Sequence, residues 1–476
     1  MNITLTDLWN SAPLLALTIA GLLALVVEAV GKDKPIASYW ISLLGVLASL
    51  VLTFLSLEPS TAIFNNMLLQ GGYSGYCNLI FLSSALLSIV LSRSYLERMD
   101  YHRGEFYILI VFATTGMMLM AAALDLTIVF LGIELMSVCL YVLAGYMRKK
   151  ERANESALKY FLLGAFATGF LLYGIALIYG TSGTTNLVTI SKSFAQLSQN
   201  SLFVIGCGML VVAFSFKIAA VPFHMWAPDV YEGAPTTITG FMSTGAKAAA
   251  FATFVAVFVR VFDIPGTALS SVVALIAAAS MIVGNVTAIA QNNVKRMLAY
   301  SSIAHAGYML SGIAAGNAEG ERGILFYLVA YTFMNIGAFG IVSWVEQQED
   351  KKLTFDDYAG FSARQPAAAV LMSVFMFSLA GIPPFAGFFG KYYVFLAAVK
   401  ADMTWLAIIG VMTSLLSVYY YLRLVVLMYF REGESDVAAK VPIAAISAVT
   451  LAAVLVILLG IYPSLVVDLT KGFFKI

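Results

Sequence analysis

Apolar residues along this chain fall in blocks long enough to cross a bilayer, separated by short polar segments, and not in the narrow stripes of soluble amphipathic helices. A window of about 20 residues predicts about fourteen transmembrane helices, at 12–30, 36–57, 76–96, 106–123, 126–146, 157–180, 202–221, 236–260, 268–290, 297–315, 323–344, 367–400, 404–430 and 441–461. The expected fold is an all-α polytopic membrane protein.

Composition agrees. The 476 residues are 61% hydrophobic and 11% charged, with a mean hydropathy of +0.90, and no soluble domain is visible. A net charge of +1, without a basic tract interleaved with aromatics, gives no reason to expect nucleic-acid binding. Cys77, Cys139 and Cys207 stand singly, without the paired spacing of a zinc or iron–sulfur site, and read as small packing residues. No Lys or Arg precedes the first apolar run, so a cleaved signal peptide is not expected and the first span should stay in the mature protein.

Loop charge predicts orientation. Lys32 and Lys34; Arg93, Arg98 and Arg103; Arg148, Lys149, Lys150, Arg152 and Lys159; Lys295 and Arg296; Lys351, Lys352 and Arg364; and Arg431 and Lys440 fall in alternate loops. The opposite set holds only Lys192, Arg260, Arg322 and Lys400, with Lys471 and Lys475 at the tail. The positive-inside rule then puts both termini away from the cytoplasm, as an even span count requires.

Proline breaks two spans, the seventh at Pro222 and the twelfth at Pro383 and Pro384. Grouping spans 4–8 as residues 106–260 and spans 9–13 as residues 268–430 makes each broken span the fourth of five. An odd number of spans per unit makes two tandem units enter the membrane from opposite sides. The prediction is two inverted five-helix repeats with discontinuous helices 7 and 12, preceded by a three-helix region (1–100) and followed by a C-terminal helix (441–476). Interrupted helices at matched positions of inverted repeats point to a transport site near the midplane.

Five ionisable residues lie inside these apolar spans: Glu134, Lys217, Lys247, His305 and Lys391. A charge at the bilayer centre costs at least roughly 2.5–3.5 kcal/mol, so each is a candidate functional residue. Each also has a plainer reading. Lys217 and Lys391 could snorkel past the helix breaks, Glu134 could be a fixed partner for a lysine, and His305 could be a hydrogen-bonded core residue. Lys247 sits too near the middle of its span to snorkel. Glu28, Asp125 and Arg423 lie near helix ends and read as interfacial, His102 lies in a charged loop, and His224 follows a break as a cap or loop contact.

An amine taken out of water loses hydration of its charged form, and a nearby carboxylate restores that form. Lysines and a carboxylate therefore suit proton relay, with water bridging the longer gaps. Na⁺ fits less well, because its sites want several oxygen ligands and this set is mostly cationic. No Gly-x-Gly-x-x-Gly fingerprint, phosphate loop or metal cluster is present, so the chain offers no independent catalytic chemistry.

Three stretches carry a resemblance to a known family: FSFKIAAVPFHMWAPDVYEGAPT at 214–236, VKRMLAYSSIAH at 294–305 and GIPPFAGFFGK at 381–391. They resemble the seventh-, tenth- and twelfth-helix signatures of the antiporter-like membrane subunits of respiratory complex I, the NADH:quinone oxidoreductase. One kind of these subunits carries a long lateral helix after its last repeat, and another typically has Glu where Lys391 stands; the end of this chain at Ile476 and Lys391 itself point to the third kind.

The resemblance implies proton translocation coupled to electron transfer from NADH to quinone. It implies Glu134 paired with Lys217 on the uptake side, Lys247 and His305 as central connectors, and Lys391 as the exit-side carrier. It also implies that no cofactor is bound by this chain, with NADH, FMN, iron–sulfur clusters and quinone belonging to partner subunits. The expected partners are other membrane-arm subunits, including neighbouring antiporter-like ones, together with lipid, protons and internal water. The expected location is the bacterial inner membrane, with both termini periplasmic. The same family includes subunits of multisubunit sodium/proton antiporters, membrane-bound hydrogenases and the photosynthetic plastoquinone-reducing complex. A purely structural membrane-arm scaffold is the alternative of a different class.

Overall fold

The computed structural model describes residues 4–31, 35–58, 60–262, 264, 266–347, 353–433, 435–437 and 440–470. Lys32, Lys34, Lys351, Lys352, Lys471 and Lys475, which enter the loop-charge reading, lie outside the described residues. The helices are α1 (Ala12–Gly31), α2 (Pro35–Leu55), α3 (Gly72–Met99), α4 (Glu105–Ala122), α5 (Leu126–Ala144) and α6 (Glu151–Ser182). They continue as α7a (Ser201–Lys217) and α7b (Trp226–Gly233), α8 (Thr236–Phe258), α9 (Ala268–Ile289), α10 (Val294–Ala315) and α11 (Ala318–Val345). The last are α12a (Pro366–Ala380) and α12b (Ala386–Lys400), α13 (Thr404–Phe430) and α14 (Ile443–Ile461).

Among the described residues, eleven helices are long and apolar enough to cross a membrane. The other three predicted spans are the two broken ones and α10, whose Lys295, Arg296 and His305 lower its hydropathy, so length and composition support eleven spans and not the full fourteen. The sequence reading also missed small elements, among them a hairpin of Thr61–Ile63 with Leu68–Gln70, an amphipathic helix Leu187–Leu197 and short helices Leu5–Asn10 and Ser464–Thr470.

Local chemistry sets the helix ends. Asp125, Asn200, Thr267, Asn293 and Asn317 each cap the helix that follows with a side-chain oxygen. Asp100, Gly183, Gly316 and Gly381 close helices in the left-handed conformation.

Hydrogen bonds and ion pairs sort the loops into two ends. At one, the basic-loop end, Tyr146 reaches the Arg103 carbonyl, Lys295 the Ala234 carbonyl and Val294 N the Leu353 carbonyl. There Arg296 pairs with Asp229 at 2.7 Å and Glu232 at 2.9 Å. At the opposite end Leu126 N meets Thr185 O, Lys400 pairs with Glu319 at 2.6 Å, and buried Arg260 pairs with Glu321. Helix α4 starts at the basic-loop end and α9 at the other, which gives the two five-helix units their inversion.

Packing repeats between the units. In each, the first helix lies along the second and the third along the broken fourth. A Cβ on Gly116 would sit 2.7 Å from Gly132 O and 2.6 Å from Met136 N; one on Gly284 would sit 2.9 Å from Tyr300 O and 2.6 Å from Ala304 N. Only glycine permits that backbone approach, and matching the two contacts fixes the register between repeats. Glu134 then aligns with Ser302, and Ser137 with His305.

Helices α8, α10 and α11 are buried along most of their length, whereas α1 and α6 are largely exposed on the outside of the bundle. In a bilayer, all-round apolar helices in the centre are held by packing, and polar groups among them must find partners inside the protein.

Candidate proton-transfer site

The two breaks differ from a simple proline kink. Helix α7a stops at Lys217, and the chain passes through Ala219 with φ +58° before Pro222. Thus the break begins one residue after Lys217 and not at Pro222 itself. The second runs from Gly381, with φ +85°, through Pro383 and Pro384 to Phe385. Lys217 ends the helical half before its break, while Lys391 lies in the half after its own. The breaks occupy matched places in the repeats, but the lysines do not.

All four basic candidates are buried: Lys217 is 9% exposed, Lys247 2%, His305 1% and Lys391 5%. Glu134 is half-buried. Lys217 Nζ donates to Ser137 Oγ at 2.7 Å, one turn along α5 from Glu134. Glu134 accepts from Thr168 Oγ1 of α6 at 2.7 Å and makes no direct ion pair with Lys217. The expected Glu134–Lys217 ion pair is therefore not made directly: Lys217 meets Ser137, one turn from Glu134, and the Ser137 hydroxyl itself donates to the Ile133 carbonyl.

Lys247 reaches out of the first unit into the second. Its Nζ donates to the Ser302 carbonyl at 2.8 Å and to Ser302 Oγ. One turn on, His305 lies between two phenols, with Nδ1 2.7 Å from Tyr327 OH and Nε2 3.0 Å from Tyr421 OH. Tyr421 OH also bonds Ser301 Oγ. Tyr308 and Tyr420 both reach Asn285, at 2.8 and 2.9 Å.

Lys391 turns back onto the carbonyls left open by the break, donating to Leu379 O at 3.0 Å, Ala380 O at 2.9 Å and Ser414 Oγ at 2.8 Å. Its ammonium lies 5.1 Å from the centre of the Tyr308 ring. A Cβ on Gly381 would meet Lys391 Cδ at 3.0 Å, so glycine there serves both the backbone turn and the lysine's return path. A mostly apolar cleft of about 580 Å³, with Phe388, Phe395, Val399 and Met412 in its wall beside Lys391 and Ser414, opens next to it.

Among the described residues, none of these three lysines forms an ion pair, and no group of three or more His, Cys, Asp and Glu could hold a metal ion. The other sequence readings divide simply. Asp125 caps α5, Glu28 accepts from Ser38, Arg423 donates to Gln291 O at 3.3 Å, and the His224 carbonyl accepts from Ala227 N in the first break.

The sequence reading missed the hydroxyls that solvate the lysines, Ser137, Ser302 and Ser414, and the phenols beside His305. Ser and Tyr are too frequent in these spans to stand out. It also took Arg260 for a loop charge, although Arg260 packs 3.9 Å over the Tyr73 ring and pairs with buried Glu321.

A buried array of amines, an imidazole and a carboxylate, spread over two inverted units with broken helices, defines an antiporter-like ion-translocating membrane subunit. Residues 123–417 match the family described as "NADH:quinone oxidoreductase/Mrp antiporter, TM", and the chain belongs to that family. Within it, the chain is 50% identical over 469 residues to "NADH-quinone oxidoreductase subunit N 1" of Chloroherpeton thalassium, covering 98% of each chain. It superposes with a TM-score of 0.84 and 35% identity on a chain of respiratory complex I from Thermus thermophilus, covering 96% of this chain and 98% of that one. A chain of the Mrp complex from Dietzia shares the fold with a TM-score of 0.85 at 20% identity, covering 98% of this chain and 97% of that one.

Proposed function

We propose that this chain is a proton-translocating membrane-arm subunit of NADH:quinone oxidoreductase, sitting beside other antiporter-like subunits, with the redox cofactors and the quinone site in its partners. The carrying observation is that three buried lysines are solvated by hydroxyls and carbonyls and not by carboxylates. A permanent buried cation without a counter-ion is a costly structural device. An amine that alternates between neutral and charged is not, because the same hydroxyls can accept from its charged form and donate to its neutral form.

Protons are taken up through Glu134, Ser137 and Lys217, pass Lys247, Ser302 and His305, and leave from Lys391. Glu134 favours the charged form of Lys217 when the two approach and releases it when they part. His305, between two phenols, can accept on one ring nitrogen and donate from the other. The gaps between these groups require water. We assign residues 106–260 and 268–430 as the two working units, with 1–100 and 441–476 outside them. The basic-loop end faces the cytoplasm of a bacterial inner membrane, and both termini face the periplasm. A sodium/proton exchanger is the alternative within the family, and the donor set opposes it: around Lys391 the polar contacts are already directed at an ammonium.

The test is NADH-driven quinone reduction and proton uptake in membranes containing assembled complex. Lys391→Ala should depress both together, since electron flow stalls when its protons cannot move. Unchanged pumping in the assembled variant would refute the reading.

A further inference from the structure

A second line of buried hydroxyls runs beside α8 and takes no part in the relay just described. On α3, Ser84, Ser88 and Ser92 recur every four residues and share one face. All three are fully buried. Facing them, α8 carries Thr236, Thr237 and Thr244, and Thr244 lies one turn before Lys247. Ser92 Oγ is 2.8 Å from Thr237 Oγ1, and Ser84 Oγ is 2.7 Å from Thr244 Oγ1. Between these two rungs, the Ser88 hydroxyl is buried with no partner.

At the basic-loop end the line finishes on an acid. Thr236 Oγ1 donates to the carboxylate of Glu346, the residue that ends α11 and is 1% exposed. Tyr95 OH accepts from Thr236 N at 3.3 Å, and Arg98 donates to the Glu346 carbonyl at 3.3 Å. The next residue, Gln347, is half-buried.

At the other end, Thr244 sits in a π-helical turn, Met242–Ala246, directly before Lys247. Such turns open the regular hydrogen-bond ladder. A Cβ on Gly245 would come within 3.0 Å of Ser84 Oγ, so glycine lets α8 approach α3 at this rung.

Successive rungs on a helix lie about 6 Å apart along the axis, too far for direct transfer, so one water must bridge each gap. The unpartnered Ser88 hydroxyl offers a site for such a water in the middle gap.

We propose that Glu346, the Ser92–Thr237 pair, Ser88 and the Ser84–Thr244 pair form a proton-uptake line from the basic-loop end to Lys247, separate from the Glu134–Lys217 route. Each hydroxyl accepts a proton on its oxygen and gives its own to the next acceptor, so no rung stays charged. The proton ends on the Lys247 amine, and Glu346 is reprotonated from water at the basic-loop end. Because α3 lies outside both five-helix units, the line gives the N-terminal region a part in transport. The proposal rests on Lys247 being a proton carrier.

The test uses assembled complex in membranes, with NADH-driven quinone reduction and proton pumping measured together. Ser88→Val and Ser88→Thr add the same volume at this buried site, but only Ser88→Thr keeps the hydroxyl. Ser88→Val and Glu346→Gln should each slow both activities at least about threefold, and Ser88→Thr should restore them. If Ser88→Val fails to assemble, Ser84→Ala carries the same expectation, with Ser84→Thr as its rescue. Full activity of Ser88→Val and Glu346→Gln, with Lys247→Ala impaired, overturns the line and leaves the reading of Lys247 intact. Loss in Glu346→Gln alone also overturns it, because the acid then acts elsewhere. Full activity of Lys247→Ala removes the reading on which the line depends.

Discussion

Lys217 donates to Ser137 at 2.7 Å and does not meet Glu134 directly. Ser137 is thus a positioning residue between the acid's turn of α5 and the end of α7a. Ser137→Ala should leave the buried ammonium without its hydroxyl partner and weaken its coupling to Glu134. Proton pumping in assembled complex should fall several-fold, less than in Glu134→Ala, and Ser137→Thr should recover it. A Ser137→Ala variant that pumps normally while Glu134→Ala does not would show that the acid acts on Lys217 without the hydroxyl.

His305 bridges two phenols, Tyr327 and Tyr421, and stands one turn from the Ser302 contact of Lys247. Water can stand in for a neutral connector more readily than for a charge-storing amine. His305→Ala should therefore reduce coupled turnover less than Lys247→Ala. The double variant Tyr327→Phe with Tyr421→Phe should resemble His305→Ala. Equal loss in the His305 and Lys247 single variants would assign His305 a carrier role of its own.

The architecture was legible because its signals are long. Blocks of about 20 apolar residues, matched prolines and alternating loop charge each rest on many positions. The five ionisable residues stood out because a charge inside an apolar span is rare. Their partners did not. Ser137, Ser302 and Ser414 are ordinary serines in sequence and gain meaning only when helices from distant parts of the chain bring them to a lysine. The register between repeats was equally hidden: placing Glu134 and His305 on corresponding helices was correct, but Gly116 and Gly284 show them one turn apart. Arg260 looked like a loop charge until the fold paired it with Glu321, 61 positions away.

That pair supports a prediction about stability. Both side chains are buried, at 8% and 4% exposure. Arg260→Met would leave a buried carboxylate uncompensated, which typically costs about 3–5 kcal/mol. The assembled complex should lose thermal stability or fail to retain this subunit on extraction in detergent. Replacing both residues together with apolar ones of similar volume should recover much of the loss.

The glycine contacts predict a matched pair of packing defects. Gly116→Ala and Gly284→Ala each push a Cβ against the backbone of the next helix. Each should destabilise by about 1–3 kcal/mol, the usual range for overpacking. Gly169, whose added Cβ would meet nothing within 4 Å, is the control and should tolerate Ala. Thermal unfolding of the three assembled variants checks the order.

The most direct measurement of proton carriage is the exchange of lysine for arginine at Lys247 and Lys391. Arginine keeps the positive charge but, with an ordinary pKa above about 12, does not release a proton. The readout is NADH-driven quinone reduction together with proton pumping in membranes where complex assembly has been verified. Carriage by these lysines predicts that Lys247→Arg and Lys391→Arg both lose pumping and coupled electron flow, as the alanine variants do. Full activity in the assembled arginine variants would contradict it and leave the two lysines a structural or purely electrostatic role.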